Sequence, residues 1–259
     1  MIVAGFVLLA VGAADLVRQF APIRWIGHLA TAVLLLLLGS VSDALLPMIA
    51  AIVAGAVWLW CMPDDRPAPA GFWPAVLLAL VSVGAVAWIG DRGRAGLIGE
   101  VWQLRSPFGE VSFDLAILTL GLAAFLLESA NLVVRAALDG EHTWRPAEKT
   151  GQDRSEEEAT DTAVTDAIEP SPATRERRGG FQGGRLIGPL ERILILILTL
   201  ASAYPVLAAM LAAKGIVRFP EISRDGETGA RAEYFLVGSL VSWVIALGAA
   251  FLVWWSAHS

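Results

Sequence analysis

Apolar residues run in seven long stretches separated by short polar breaks, near residues 2–17, 25–45, 46–62, 72–90, 113–135, 189–213 and 233–255. A helix rises about 1.5 Å per residue, so about 20 apolar residues cross a hydrocarbon core of about 30 Å. In hydrocarbon, only elements that satisfy their own backbone hydrogen bonds survive. The pattern therefore predicts an all-α polytopic transmembrane bundle of about seven spans. The first stretch is short for a span. The second and third are divided only by Ser42, Asp43 and Pro47, which fits a tight helical hairpin or a re-entrant segment, the hairpin being favoured. Trp25, Trp58, Trp60, Trp73, Trp88, Trp254 and Trp255 fall near proposed ends, where an amphipathic ring suits the interface. Residues 2–14 lack a basic leader and a cleavage pattern, so they read as a retained first span.

The pattern changes abruptly between the fifth and sixth stretches. Residues 139–184 hold 11 acids and 6 bases with few aliphatic side chains. Such a segment cannot bury enough apolar surface to offset its ordering entropy and is predicted to be a disordered linker. It divides a five-span part, residues 1–138, from a two-span part, residues 185–259. Composition agrees with a membrane protein: 56% of the 259 residues are hydrophobic and 17% charged, against about 25% charged in soluble domains, and the mean hydropathy is +0.63. The net charge of −6 sits mostly in the linker, so no basic excess points to nucleic acid. A single cysteine, Cys61, excludes an intramolecular disulfide and any multi-cysteine metal site.

Sidedness is weakly marked. With seven spans, Arg18, Arg24, Arg66, Arg135, Arg185 and the linker bases share one face, while Arg92, Arg94, Arg105, Lys214, Arg218, Arg224 and Arg231 share the other. Long loops count little in the positive-inside rule, so the two faces nearly balance. The arrangement favoured is a cytoplasmic linker and C-terminus with an external N-terminus, in a bacterial cytoplasmic membrane.

The most informative polar group inside a span is Glu128, Asn131 and Arg135, spaced i, i+3, i+7. On a regular helix these form one stripe. A charge in hydrocarbon is costly, so Glu128 should face protein or water and have a partner. Asn131 is placed to bridge it to Arg135, which lies about 10 Å further along the axis. An interhelical tether is the plainer role; a substrate or proton site is the sharper one.

After the linker, Gly188-Pro189 reads as a helix entry. It places Glu191 in the first turn and Arg185 and Arg192 within reach of lipid phosphates. Tyr204-Pro205 falls within the sixth stretch, so a kink or opening is expected near residue 201. Lys214 and Arg218 lie four apart in an amphipathic strip, and Glu233 at the start of the seventh span is expected to cap it or pair with Lys214, Arg218 or Arg192.

GRLIGPLER, AAKGIVRF and AEYFLVGSLVS together resemble the C-terminal signature of a family of bacterial and phage multi-pass membrane proteins classed as a domain of unknown function. The resemblance covers residues 184–243, with a weaker echo in ESANLVVRAAL. Gly188, Glu191, Arg192, Lys214, Arg218, Glu233, Tyr234 and Gly238 match. What the resemblance implies is membrane residence.

Ala208 with Ala212, Ala209 with Ala213 and Gly238 with Ser242 form small-xxx-small pairs, expected to pack helices within the chain. Glycines 90, 93, 96 and 99 read as a flexible loop rather than a phosphate cradle, with Trp102 and Phe108 resting on the interface around Arg105. His28 and Cys61 read as packing residues. No metalloprotease or serine-hydrolase motif occurs, and the residues point to no cofactor. These features support a non-catalytic protein of membrane organisation, assembly or regulation. Its partners are the lipid bilayer and either another membrane protein or a second copy. The alternative is a small transporter or ion conductor lined by Glu128, Asn131 and Arg135. A lipid-acting enzyme with Glu128 or Glu191 as base is a third class.

Overall fold

The computed structural model describes residues 1–64, 68, 70–89, 96–106, 109–140, 184–222 and 230–259. All of the expected linker but its first two residues and its last lies outside them. The elements are α1 (Ile2–Phe20), α2 (Arg24–Val41), α3 (Leu45–Cys61), α4 (Trp73–Ile89), α5 (Gly96–Val101) and a ladder β1 (Arg105–Ser106) with β2 (Gly109–Glu110). Then follow α6 (Phe113–Ala124), a π turn (Phe125–Ser129), α7 (Ala130–Gly140), α8 (Gly184–Leu200), α9 (Tyr204–Ile222) and α10 (Ala230–His258). Among the described residues, four helical stretches are long and apolar enough to cross a membrane: Ile2–Phe20, Arg24–Val41, Phe113–Asp139 and Ala232–His258. Leu45–Cys61, Trp73–Trp88 and Tyr204–Val217 are shorter apolar helices.

The short first stretch is the centre of the molecule. α1 packs against α2, α3, α4 and α6, and Ile2, Phe6 and Val11 are wholly buried. Its contact with α6 is set by missing side chains. A Cβ on Gly12 would lie 2.6 Å from the backbone of Ala124, and one on Gly121 would lie 2.5 Å from the Gly5 carbonyl oxygen. The two backbones therefore touch, which suits a bilayer, where van der Waals packing drives helix association.

Register gives every helix a direction. Gly5 meets Leu118, Gly12 meets Ala124 and Asp15 meets Ser129, so α1 and α6 run parallel. Ala10 meets Gly55 and Arg18 meets Met62, so α3 is parallel to α1 as well. α2 returns between them in a hairpin with α3, closed at Asp43 (φ 52°) by the Ala44 N–H on the Gly39 carbonyl at 2.8 Å. α6 starts at the end where α3 starts, so α4 carries the chain back. α5 docks on the α2–α3 turn, where Gly96 at φ 63° would bring a Cβ within 2.8 Å of the Asp43 nitrogen. The region expected to be a flexible glycine loop thus contains a helix and a ladder. Trp102, expected at the interface, donates to the Val111 carbonyl at 2.8 Å and packs edge-on against Phe113. Residues 90–95 and Phe108 lie outside the described residues.

The sixth stretch is not one helix. α8 begins at Gly184, before the expected entry at Gly188-Pro189, and Pro189 sits inside it. The chain then turns at Ala201–Ala203 with Ser202 at φ 55°, and α9 runs back along α8. Lys214 meets Glu191, while Leu207 packs on Ile195. Pro205 occupies the second position of α9, where its missing N–H costs no hydrogen bond, so the chain breaks before it instead of kinking around it. Gly188 lies beside Asn131 and Arg192 reaches back to Leu126, while Gly238 lies beside Val134 and Leu138 and the later α10 residues Ile245 to Leu252 share a groove with Leu122 and Phe125. α8 and α10 therefore both run antiparallel to α7. The linker attachments and the start of α10 share one end of the bundle, and Met1 and His258 share the other. The linker attachments and the C-terminus thus lie at opposite ends of the bundle, because the sixth stretch is a hairpin and not one continuous helix. The small pairs on α9 fail as packing contacts: Ala208, Ala209, Ala212 and Ala213 are exposed.

Candidate functional site: a polar seam around a π turn

Between α6 and α7 the helix widens for five residues, Phe125–Ser129. A π turn inserts an extra residue and offsets the carbonyls around it, a device found often at functional sites. Here it places two adjacent polar residues, Glu128 and Ser129, toward two different neighbours.

Ser129 faces α1. Its hydroxyl donates to Asp15 Oδ2 at 2.5 Å, and Trp58 Nε1 donates to the same oxygen at 2.8 Å. Arg18 Nη1 donates to Asp15 Oδ1 at 3.2 Å. The same guanidinium donates to the carbonyls of Met62 at 2.8 Å and Leu59 at 3.1 Å, at the C-terminus of α3. Helix C-termini carry partial negative charge, so the cation compensates both Asp15 and the end of α3. Asp15 is 1% exposed.

Glu128 leads to α8. Asn131 Nδ2 donates to Glu128 Oε2 at 3.3 Å, and Asn131 Oδ1 accepts from Arg192 Nη2 at 2.8 Å. Arg192 Nη1 donates to the Leu126 carbonyl in the π turn at 3.1 Å, and Nε donates to the Ser242 hydroxyl of α10 at 2.9 Å. Arg192 is 3% exposed and Glu128 7%. All three guanidinium nitrogens are thus held within the bundle.

The next residue of α8 back, Glu191, makes a third cluster. Lys214 of α9 donates to both its oxygens at 2.8 and 2.7 Å, and Trp243 Nε1 of α10 donates to Oε1 at 2.8 Å. The ammonium also lies over the rings of Phe235 and Trp243, 5.7 and 5.6 Å from their centroids, a favourable cation–π placement.

Glu128 and Asn131 are therefore brought together, and Arg135 is not. Arg135 is 54% exposed and approaches Asp64 at 3.5 Å, so Asn131 bridges Glu128 to Arg192 instead. Arg192 does not reach lipid phosphates. Glu191 is not in a first turn, because α8 starts earlier than expected. Lys214 bonds Glu191 rather than Glu233, which is exposed at the start of α10. The side chain of Arg218 lies outside the described residues. Sequence reasoning missed Asp15, Arg18, Trp58, Ser129 and Ser242. One signal was present, an acid and a base at i, i+3 closing an apolar run, because an ionisable residue within a span is a site by default.

Among the described residues no group of three or more His, Cys, Asp or Glu side chains is placed to hold a metal ion. Comparison with family models, with curated proteins and with solved structures finds no match for this chain.

Proposed function

We propose that this chain is a non-catalytic integral protein of the bacterial cytoplasmic membrane, serving membrane organisation, assembly or regulation. Membership of the multi-pass family resembled over residues 184–243 is part of this reading. The observation that supports it best is Arg192, whose three nitrogens join the π turn, α7 and α10. A buried cation given over to three structural acceptors works as a clamp. Asp15 and Glu191 are bonded into the bundle in the same manner.

In this reading six helical passes cross the bilayer: α1, α2, α3, α4, the α6–α7 helix and α10. The α8–α9 hairpin enters and leaves on the linker side. The hairpin also moves the basic residues. Of the described positions, Lys214, Arg218 and Arg231 join Arg18, Arg24, Arg135 and Arg185 at the linker end, and Arg105 lies at the other. That excess supports a cytoplasmic linker with both termini outside.

Reconstituted vesicles separate this role from transport. The full chain and its Glu128→Gln variant should both leave proton and ion flux at the level of protein-free vesicles, while Arg192→Lys lowers the unfolding temperature because a point charge cannot serve three fixed acceptors. Flux through the native chain that Glu128→Gln abolishes would replace the organising role with conduction along the polar seam.

A further inference from the structure

α4 and α10 run in the same direction, away from the linker end, yet they touch along little of their length. Between them lies a groove of about 560 Å³, lined by Phe72 and α4 as far as Val83 and by α10 from Leu240 to Leu252. Leu8, Leu122 and Phe125 contribute to its lining from α1, α6 and the π turn. The hydroxyl of Ser82, on the α4 wall, donates to the Leu78 carbonyl at 2.8 Å, so the lining presents hydrocarbon to whatever enters. The rim is apolar as well: Val244 is 69% exposed and Phe251 54%. The groove therefore opens sideways into the layer in which the crossing helices lie.

We propose that this groove holds one acyl chain of a membrane lipid from the linker-side leaflet. Length argues for a single chain. The lining segments of α4 and α10 extend about 17 to 20 Å at about 1.5 Å per residue, close to the half-thickness of a core of about 30 Å. The mouth lies at the linker end, where Phe72 stacks on Trp73 with centroids 5.6 Å apart, an aromatic pair at the depth where such rings favour the interface. The floor lies where the Val83 end of α4 passes Leu8 and Leu122. At Gly248 a side chain would meet nothing within 4 Å, so the groove has room that the bundle itself does not fill. Because the chain rests against Phe125, the bound lipid supports the π turn that carries the polar seam.

The test uses the full chain in phosphatidylethanolamine–phosphatidylglycerol vesicles containing a phospholipid with a photoactivatable diazirine midway along one acyl chain. Adducts should concentrate on peptides 72–83 and 240–252. Gly248→Phe, which fills the open space, should lower those adducts by about fivefold or more, as expected for a loss of about 1 kcal/mol. Ala79→Phe should do the same from the opposite wall. Labelling of the exposed α2 residues Leu29, Leu34 and Leu37 should not change, and an unaltered unfolding temperature shows that the variants fold. Groove labelling no stronger than that of α2, or unaffected by either variant in a folded protein, would overturn the proposal. So would a cross-link placing a second copy of the chain between α4 and α10.

Discussion

Asp15 shows how the bundle tolerates an acid inside its central helix. Two neutral donors, Trp58 and Ser129, and one cation, Arg18, approach it from three elements. Removing one partner of a buried pair leaves an uncompensated charge and costs about 3–5 kcal/mol. Asp15→Ala is therefore expected to lower stability by about that amount, and Arg18→Met added to it should recover part of the loss, read by chemical unfolding in detergent as a double-mutant cycle. Purely additive losses would show that the two side chains act independently. Glu128 was legible in the sequence because an acid stands out within FLLES. Its link to Arg192 was not, since that partner lies 61 residues from Asn131 on another helix. Asp15 escaped because the apolar run fades just beyond it, so that Arg18 read as a loop residue rather than a cap on α3.

The elements themselves were largely readable from apolar run lengths, and the exceptions have physical reasons. A π turn leaves no periodic mark, so the stripe of Glu128, Asn131 and Arg135 was drawn on a regular helix that the chain does not keep. The α8–α9 turn is made of Ala201, Ser202 and Ala203, which are apolar or small enough to hide within a continuous span. Only Pro205 betrayed it. The tightest contact, between α1 and α6, rests on Gly5, Gly12 and Gly121, whereas the sequence drew attention to alanines on α9 that face outward. Gly12→Leu is expected to force α1 away from Ala124 at a cost of about 1–3 kcal/mol or more, seen as a lower unfolding temperature. Gly84→Leu, where open space surrounds the position, should be tolerated. Equal losses at both glycines would show that helix flexibility, not close approach, is what matters.

For the whole molecule, the sequence settled the solvent but not the sidedness, because charge counts depend on which end of the bundle each loop occupies. Once α8 and α9 fold back on each other, the basic residues cease to balance. In a Cys61→Ala background, His258→Cys should react with a membrane-impermeant maleimide in intact cells. Ser155→Cys in the linker should react only after permeabilisation. Labelling of both from the same side would refute the six-pass arrangement.

A paired leg that departs and lands on one shore adds nothing to the parity of a route. The hairpin can be lengthened, shortened or withdrawn, and α10 will still set out from the linker side and deliver His258 beside Met1. In the six-pass reading the number of crossings is thus set by the other helices, and the apolar outward face of α9 can vary without changing it.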